Sequence, residues 1–124
     1  MAQSLRTLVE QLKAASHPMR LRVLALLQVG ELCVCQVAEV LGIPQSSVSE
    51  ALRELRRAGF VQERKEGRWV YVSVVPASER SPLLEGLLVE ALGLPEVEQD
   101  RLRAAEVCAM PVAAVCGRGK GDCS

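Results

Sequence analysis

Apolar residues at helical spacing open the chain. From Leu5, further apolar residues follow at i+3, i+4 and i+7, and Ser4 is suited to cap the helix that this pattern predicts. The pattern breaks before Pro18, a residue that is common in the first turn of a helix. The sequence therefore predicts a first helix with one apolar stripe and a second helix that Gly30 ends.

Two shorter apolar patterns follow, separated by a tight connection at residues 42–44. The first predicts a helix over residues 34–41, and the second predicts a helix over residues 45–58 that Gly59 ends. Two short helices joined by a glycine-containing turn form a helix-turn-helix. In such a unit, the second helix enters the major groove of DNA.

The period of the apolar residues then changes from about 3.6 to about 2. Residues 60–64 and 68–74 predict the two strands of a hairpin, with a turn at Lys65, Glu66 and Gly67. The valines of the second strand share one face, and its aromatic residues share the other. A hairpin directly after a helix-turn-helix is a wing. The predicted fold class is therefore mainly α with a small β-hairpin wing, a winged helix-turn-helix.

Two more helices are predicted after the wing, starting at Pro82 and Pro95. The residues of the last helix that are expected to face inward are Val97, Leu102 and Val107. Beyond it the chain has small, glycine-rich residues with little to bury. We therefore expect a DNA-binding and dimerisation domain at residues 1–107 and a flexible, cysteine-containing tail at residues 108–124.

The composition fits a small helical domain with an aliphatic core. Hydrophobic residues make up 49% of the 124 residues, and aromatic residues only 2%. No apolar run reaches the roughly 18 residues that a membrane span needs. The N-terminus also lacks the layout of a signal peptide. We therefore expect a cytoplasmic protein that makes no contact with a membrane.

Charge is distributed unevenly, although the formal net charge is +0. Basic side chains outnumber acidic ones over residues 45–75, and the balance reverses over residues 76–124. A mildly basic middle and an acidic end suit a DNA-facing surface that only part of the chain carries.

The predicted second helix of the helix-turn-helix begins with residues suited to base edges. Glutamine can bind adenine bidentately, and short serine side chains let the helix approach the bases. Arginine and lysine further along this helix and on the wing suit phosphates, which position the protein without specifying a sequence. The predicted DNA-binding residues are Gln45, Ser46, Ser47, Ser49, Arg53, Arg57, Lys65 and Arg68.

Three stretches resemble the ArsR/SmtB family of metal-sensing repressors. They are residues 15–24, the Gln-Ser-Ser-Val-Ser start of the recognition helix, and the wing strand Gly-Arg-Trp-Val-Tyr at residues 67–71. The match covers residues 5–92. The resemblance implies a homodimer built from the first and the penultimate helices, and a repressor that leaves operator DNA when its inducer binds.

Glu50 and Ala51 depart from the family pattern, since many members carry histidine or arginine there. A carboxylate at position 50 repels phosphate, although it could accept a hydrogen bond from cytosine. We therefore expect an operator affinity or preference that differs from that of other members.

The cysteines indicate the chemistry of the sensor. Five cysteines in a chain expected in the cytosol favour metal binding or redox chemistry over a disulfide framework. Cys33 falls where a serine or threonine would cap the third helix, and Cys35 lies in its first turn. A helix N-terminus is expected to lower the pKa of such thiols, and soft ions prefer thiolates. The stretch Glu-Leu-Cys-Val-Cys at residues 31–35 also resembles the signature of arsenic- and antimony-responsive members.

The expected inducer is As(III) or Sb(III), and trivalent arsenic binds three sulfurs. In the family a third cysteine follows Cys35 by three residues, where this chain has Ala38. The tail carries Cys108, Cys116 and Cys123. We expect Cys108 or Cys116 to complete the site, from the same or the partner subunit, unless the tail thiols act independently.

Three alternatives stay open. The first is a repressor that responds to Cd(II), Pb(II) or Cu(I) through the same thiolates. The second is a redox or persulfide switch in which Cys33 or Cys35 pairs with a tail thiol. The third, a thiol enzyme, is disfavoured because no phosphate-binding loop and no His-Asp set accompany a cysteine. The single histidine, His17, precedes a proline in a loop, so a histidine-rich zinc, nickel or cobalt site is not expected.

Overall fold

The computed structural model describes residues 4–116, and of Cys116 the backbone alone. The helices are α1 (Leu5–Ala15), α2 (Pro18–Leu26), α3 (Val34–Leu41), α4 (Gln45–Arg57), α5 (Pro82–Leu92), α6 (Pro95–Cys108) and α7 (Val112–Cys116). The strands are β1 (Leu32–Cys33), β2 (Val61–Glu66) and β3 (Trp69–Val74), and one-turn 3-10 helices lie at Leu27–Val29 and Ala77–Glu79. A helix-turn-helix followed by a hairpin confirms the predicted fold class.

The first two helices begin as the sequence predicts. The backbone N–H of Thr7 donates to Ser4 Oγ at 3.1 Å, which caps α1. His17 caps α2, because its Nδ1 accepts from the backbone N–H of Met19 at 3.2 Å. The single histidine therefore has a structural role at a helix start.

The apolar stripe of α1 is exposed in the single chain. Leu5 is 79% exposed and Leu12 is 48% exposed, whereas the buried side chains of α1 are those of Gln11, Ala14 and Ala15. An exposed apolar stripe of this kind is typical of a protein interface.

α3 lies at the centre of the fold. It packs against α4, α6 and α7, so every residue of α3 except the half-buried Glu39 is buried. Gly42 ends the helix with a φ of 67°, a left-handed conformation that glycine adopts without strain. The short connection that follows leads directly into α4. The predicted helix-turn-helix is confirmed, with α4 ending one residue earlier than expected.

The three strands form one antiparallel sheet in the order β1-β3-β2. Strand β1 was not predicted, because two residues are too few to show a period. The predicted turn was too long: Lys65 and Glu66 continue β2 and pair with Val70 and Trp69. Gly67, at a φ of 62°, keeps its predicted role in the turn.

α6 buries a different stripe from the predicted one. Val97 and Val107 are buried as expected, but Leu102 is 62% exposed, so the prediction for this residue was wrong. Asp100 takes a place on the buried stripe instead, since Arg22 of α2 binds it bidentately at 3.0 and 2.8 Å. These hydrogen bonds also raise the pKa of Arg22.

We expect Asp100→Ala to lower the free energy of unfolding by about 2 kcal/mol. The Asp100 carboxylate is only 7% exposed, and its loss leaves the half-buried Arg22 without its bidentate partner. Glu98→Ala is the matched control, because Glu98 forms an exposed pair with Arg101 on the same helix. Such a pair contributes about 0–1 kcal/mol. Urea unfolding at one protein concentration measures both variants, and equal losses would contradict the expectation.

Residues 108–116, which were expected to belong to a flexible tail, include the end of α6 and a further helix. Cys108 is the last residue of α6, and the chain then forms α7, whose Val115 is buried against the rest of the core. A five-residue helix after a proline is too short for its pattern to be detected in a sequence. Residues 117–124, which include Cys123, lie outside the residues that the structure describes. Among residues 4–116, no helix has the length and apolar character needed to cross a bilayer.

Candidate metal centre and nucleic-acid interface

Cys33 caps α3 in the manner of a serine. Its backbone N–H donates to Gln36 Oε1 at 2.8 Å, and its sulfur faces the backbone N–H of Gln36 in return. This reciprocal arrangement is a capping box. The predicted positions of Cys33 at the cap and Cys35 in the first turn are therefore confirmed.

The two sulfurs lie 3.3 Å apart. Cys33 is 0% exposed and Cys35 is 3% exposed, so the pair is shielded from bulk water by the surrounding core. Cys33 is reduced, whereas Cys35 is disulfide-bonded in the structure. Binding of an ion by both sulfurs therefore requires reduction of Cys35.

Burial raises the pKa of the Cys33 thiol. Backbone N–H groups of neighbouring residues, including Val34 and Gln36, favour the thiolate, but desolvation outweighs them. The expectation that the helix N-terminus lowers this pKa was wrong for Cys33. The sequence could place the thiol at a helix start but could not show that the same position is fully buried.

The surroundings of Cys35 include the position where the family carries its third thiol. A surface recess of about 560 Å³ is lined by Cys35, Ala38, Gln45 and Val115, among others. Val115 belongs to α7, which packs against α3 and ends at Cys116. The end of α7 therefore lies beside the first helix of the helix-turn-helix.

Cys108 occupies a different place. It is exposed and lines a separate recess with Ala25, Val29 and Leu102, on the side of α6 that faces the end of α2. Among the side chains that the structure describes, which exclude that of Cys116, no group of three or more from histidine, cysteine, aspartate or glutamate is arranged to hold a metal ion. The described part of the chain thus brings Cys33 and Cys35 together and does not bring Cys108 to them.

The predicted DNA-binding residues lie at the surface. α4 buries Val48, Ala51, Leu52 and Leu55, and this leaves its polar residues accessible. Ser46, Ser47 and Arg53 are exposed, and Gln45 and Ser49 are half-buried. Arg57 is exposed near Glu54, and on the wing Lys65 and Arg68 are exposed, with Arg68 lying 4.6 Å from the ring of Trp69.

One ion pair between the thiol segment and the wing was missed from the sequence. Arg64 of β2 binds Glu31 bidentately, with N–O distances of 3.0 and 2.6 Å. Arg64 holds the pKa of Glu31 below its usual value. The two residues are 33 positions apart, so no local pattern links them; only the unpredicted strand β1 brings them together.

The fold and this surface define a winged helix-turn-helix transcriptional regulator. Residues 17–63 match the model of the bacterial regulatory protein arsR family. An uncharacterised helix-turn-helix regulator of Methanocaldococcus jannaschii is 42% identical over 67 residues, which cover 53% of this chain and 75% of that protein. The chain belongs to the ArsR family, whose members matched here are transcriptional regulators and not enzymes.

Two further proteins show the extent of the similarity. The arsenical resistance operon repressor of Escherichia coli is 41% identical over 54 residues, 44% of this chain and 46% of that repressor. The chain thus spans about half the length of this relative. The solved structure of HlyU from Vibrio cholerae has a TM-score of 0.61 and 31% identity, and the match covers 75% of this chain and 98% of HlyU.

Proposed function

We propose that the protein is a homodimeric repressor that leaves its operator DNA when As(III) or Sb(III) binds to Cys33 and Cys35. The observation that carries this proposal is the 3.3 Å separation of two buried sulfurs at the start of α3. α3 is the first helix of the helix-turn-helix. A relative that matches this part of the chain is an arsenical resistance operon repressor.

The separation of the sulfurs is compatible with one shared ion at a narrow S–ion–S angle. With metal–sulfur bonds of about 2.3 Å, two sulfurs at that separation subtend roughly 90° at a shared ion. A tetrahedral ion such as Zn²⁺ prefers a wider angle, near 109°. Trivalent arsenic and antimony carry a lone pair and adopt narrow, pyramidal angles with three thiolates.

The protonation of Cys33 also favours arsenous acid. One As(OH)₃ and three thiols give one As(SR)₃ and three waters, so each thiol proton leaves on a hydroxyl of the acid. This condensation needs no preformed thiolate. It therefore suits a thiol whose pKa burial raises.

We propose Cys116 as the third ligand. It ends α7, which lies against α3, and Val115 lines the same recess as Cys35 and Ala38. The third thiol would then come from α7, because α3 has Ala38 where the family carries a cysteine. Cys108 lines a different recess of the same chain, and the proposed site therefore leaves it out.

The route from the ion to the DNA is short. The recess beside Cys35 is also lined by Gln45, the first residue of α4 and a proposed contact to a base edge. Binding of one ion by Cys33, Cys35 and the proposed Cys116 ligand would pull α7 and α3 together and strain α3, against which α4 packs. Ion and DNA then oppose each other through one coupling free energy, which acts equally in both directions.

The homodimer uses the exposed apolar stripe of α1 together with α5. On α1 the stripe consists of Leu5, Leu8, Val9 and Leu12, and on α5 Val89 and Leu92 are exposed. A dimer that buries these residues between its two chains would present two recognition helices to two half-sites of an operator.

We expect Leu12→Glu to raise the dimer dissociation constant about thirtyfold, the effect of losing one interface hot spot of about 2 kcal/mol. A buried carboxylate would face its symmetry mate or apolar side chains. Thr7→Glu is the matched control, because it adds the same charge on the opposite face of α1, where the Thr7 backbone N–H donates to Ser4 and a glutamate is compatible with a capping box. Sedimentation equilibrium measures both, and a Leu12→Glu dimer as tight as the control would exclude α1 from the interface.

Ion specificity tests the proposal. The protein would first select a duplex from a random pool, in a phosphine reductant, since thiol reductants compete for arsenite. Fluorescence anisotropy of that duplex is then followed with arsenite, antimonite, cadmium or lead. Release at the lowest concentrations by arsenite or antimonite is expected. Release by cadmium or lead alone would favour the divalent alternative, and no release by any of these ions would refute metal sensing.

A second candidate is redox regulation, which the disulfide at Cys35 favours. In this reaction two thiols transfer two electrons and two protons to hydrogen peroxide, which gives one disulfide and two waters. Release of the duplex by peroxide without any ion, and its reversal by the phosphine, would support this function. Unchanged anisotropy in peroxide would exclude it.

A further inference from the structure

Cys33 lies in a row of residues that crosses the whole sheet. It pairs with Tyr71 of β3, and Tyr71 pairs on its other side with Arg64 of β2. The Arg64 guanidinium lies 4.9 Å from the centroid of the Tyr71 ring. The thiol site and the wing are therefore parts of one sheet, and in this row Tyr71 joins them.

A side-chain ion pair also joins the residue just before β1 to β2. Glu31 stands two residues before Cys33, and its carboxylate accepts two hydrogen bonds from Arg64. Arg64 also donates to Glu66 at 2.5 Å. A bidentate pair within a three-residue network holds its geometry better than an isolated surface pair does.

The neighbouring row joins the wing to the recognition helix. Leu32 pairs with Val72, and Val72 pairs with Glu63. Glu63 forms an ion pair with Arg56 of α4. The base of the wing is thus tied to the thiol segment by Glu31 and Arg64, and to α4 by Glu63 and Arg56.

We propose that the Glu31–Arg64 pair couples the thiol site to the wing. The pair holds the wing in the position that binds DNA, and an ion at Cys33 displaces β1, breaks the pair and lets the wing move. This inference rests on the proposed function and adds the wing as a second route to the DNA, beside the route through α4. Glu31 and Arg64 are positioning residues, since neither contacts the ion.

The variant Glu31→Gln separates this coupling from general electrostatics. Loss of a negative charge from a DNA-binding surface strengthens phosphate binding in general. Loss of the pair, by contrast, lets the wing leave its DNA-binding position. We therefore expect Glu31→Gln to weaken binding of the selected duplex about three- to fivefold without any ion, the range for a partly exposed pair. The factor by which arsenite weakens that binding should fall by a similar amount.

Two further variants define the pair. In the exchanged variant, Glu31→Arg with Arg64→Glu, an ion pair is restored at the same place. Arsenite should therefore weaken DNA binding of this variant by nearly the same factor as in the wild type. Arg68→Gln, at the tip of the wing, is the control: it should weaken DNA binding with and without arsenite by the same factor. Trp69 is the single tryptophan of the chain and starts β3, so its fluorescence reports on the wing without DNA.

The outcomes separate the two proposals. Arsenite should shift Trp69 emission in the wild type and shift it less in Glu31→Gln. The following result would overturn the coupling and leave the proposed function standing. Arsenite releases DNA from the wild type, and Glu31→Gln either has the same DNA affinity and arsenite response as the wild type or binds DNA more tightly. A wild type that binds DNA but responds to arsenite in neither assay would overturn both.

Discussion

Cys116→Ser is expected to raise the arsenite concentration needed for DNA release at least about a hundredfold. The substitution reduces the proposed site from three thiols to the pair at Cys33 and Cys35. Substitution of residues that only hydrogen-bond to metal ligands lowers metal affinity about 10–100-fold. Loss of a ligand itself should therefore lower the affinity by at least about a hundredfold. Anisotropy of the selected duplex during an arsenite titration gives the shift directly.

Adding Ala38→Cys to this variant should restore the response. Ala38 is buried one turn after Cys35 and lines the same recess as Val115, so a sulfur there takes the place proposed for Cys116. Cys108→Ser is the matched control and should behave as the wild type. A wild-type response in Cys116→Ser, or a lost response in Cys108→Ser, would show that the third ligand has been assigned wrongly.

The pH dependence of binding should differ between arsenite and cadmium. Burial raises the pKa of Cys33, so this thiol carries its proton at neutral pH. Cadmium must displace that proton, and its affinity should rise at least about tenfold per pH unit from pH 6 to 8. Arsenous acid takes the proton away as water, and its affinity should change little over the same range.

Calorimetry in buffers of different ionisation enthalpy also counts the protons released by each ion. The expected counts are at least one for cadmium and about zero for arsenite. The raised pKa keeps the proton on Cys33 in the ion-free protein. Higher pH therefore strengthens binding only of the ion that must displace this proton. Equal pH slopes for the two ions would mean that Cys33 is not a ligand common to both.

The helices of the DNA-binding unit could be predicted because their signals are local. Ser4, Pro18 and Gly42 act through the residues next to them, and the bounds of α3 follow from its apolar period alone. The change of period at the wing is equally local. The ends of α3, α4, β2 and β3 differ from the prediction by at most two residues, whereas α2 ends at Leu26 and a 3-10 turn continues to Val29 before Gly30.

The features that were missed depend on contacts between distant residues. Strand β1 exists because β3 offers it a partner, and the Glu31–Arg64 pair depends on that strand. The buried face of α6 includes Asp100, whose carboxylate binds Arg22, 78 positions away in the sequence. Leu102 lies outside this face and is exposed. The raised pKa of Cys33 follows from burial by the whole core, which a motif of five residues cannot show.

The central claim is that an ion on Cys33 and Cys35 opposes operator binding. The most direct test measures the arsenite dissociation constant of the reduced protein, with and without the selected duplex. A coupling of 1–3 kcal/mol predicts that DNA weakens arsenite binding roughly 5–150-fold, and that arsenite weakens DNA binding by the same factor. Cys33→Ser should abolish both effects. Equal arsenite affinity with and without the duplex, or a Cys33→Ser protein that still responds, would contradict the account.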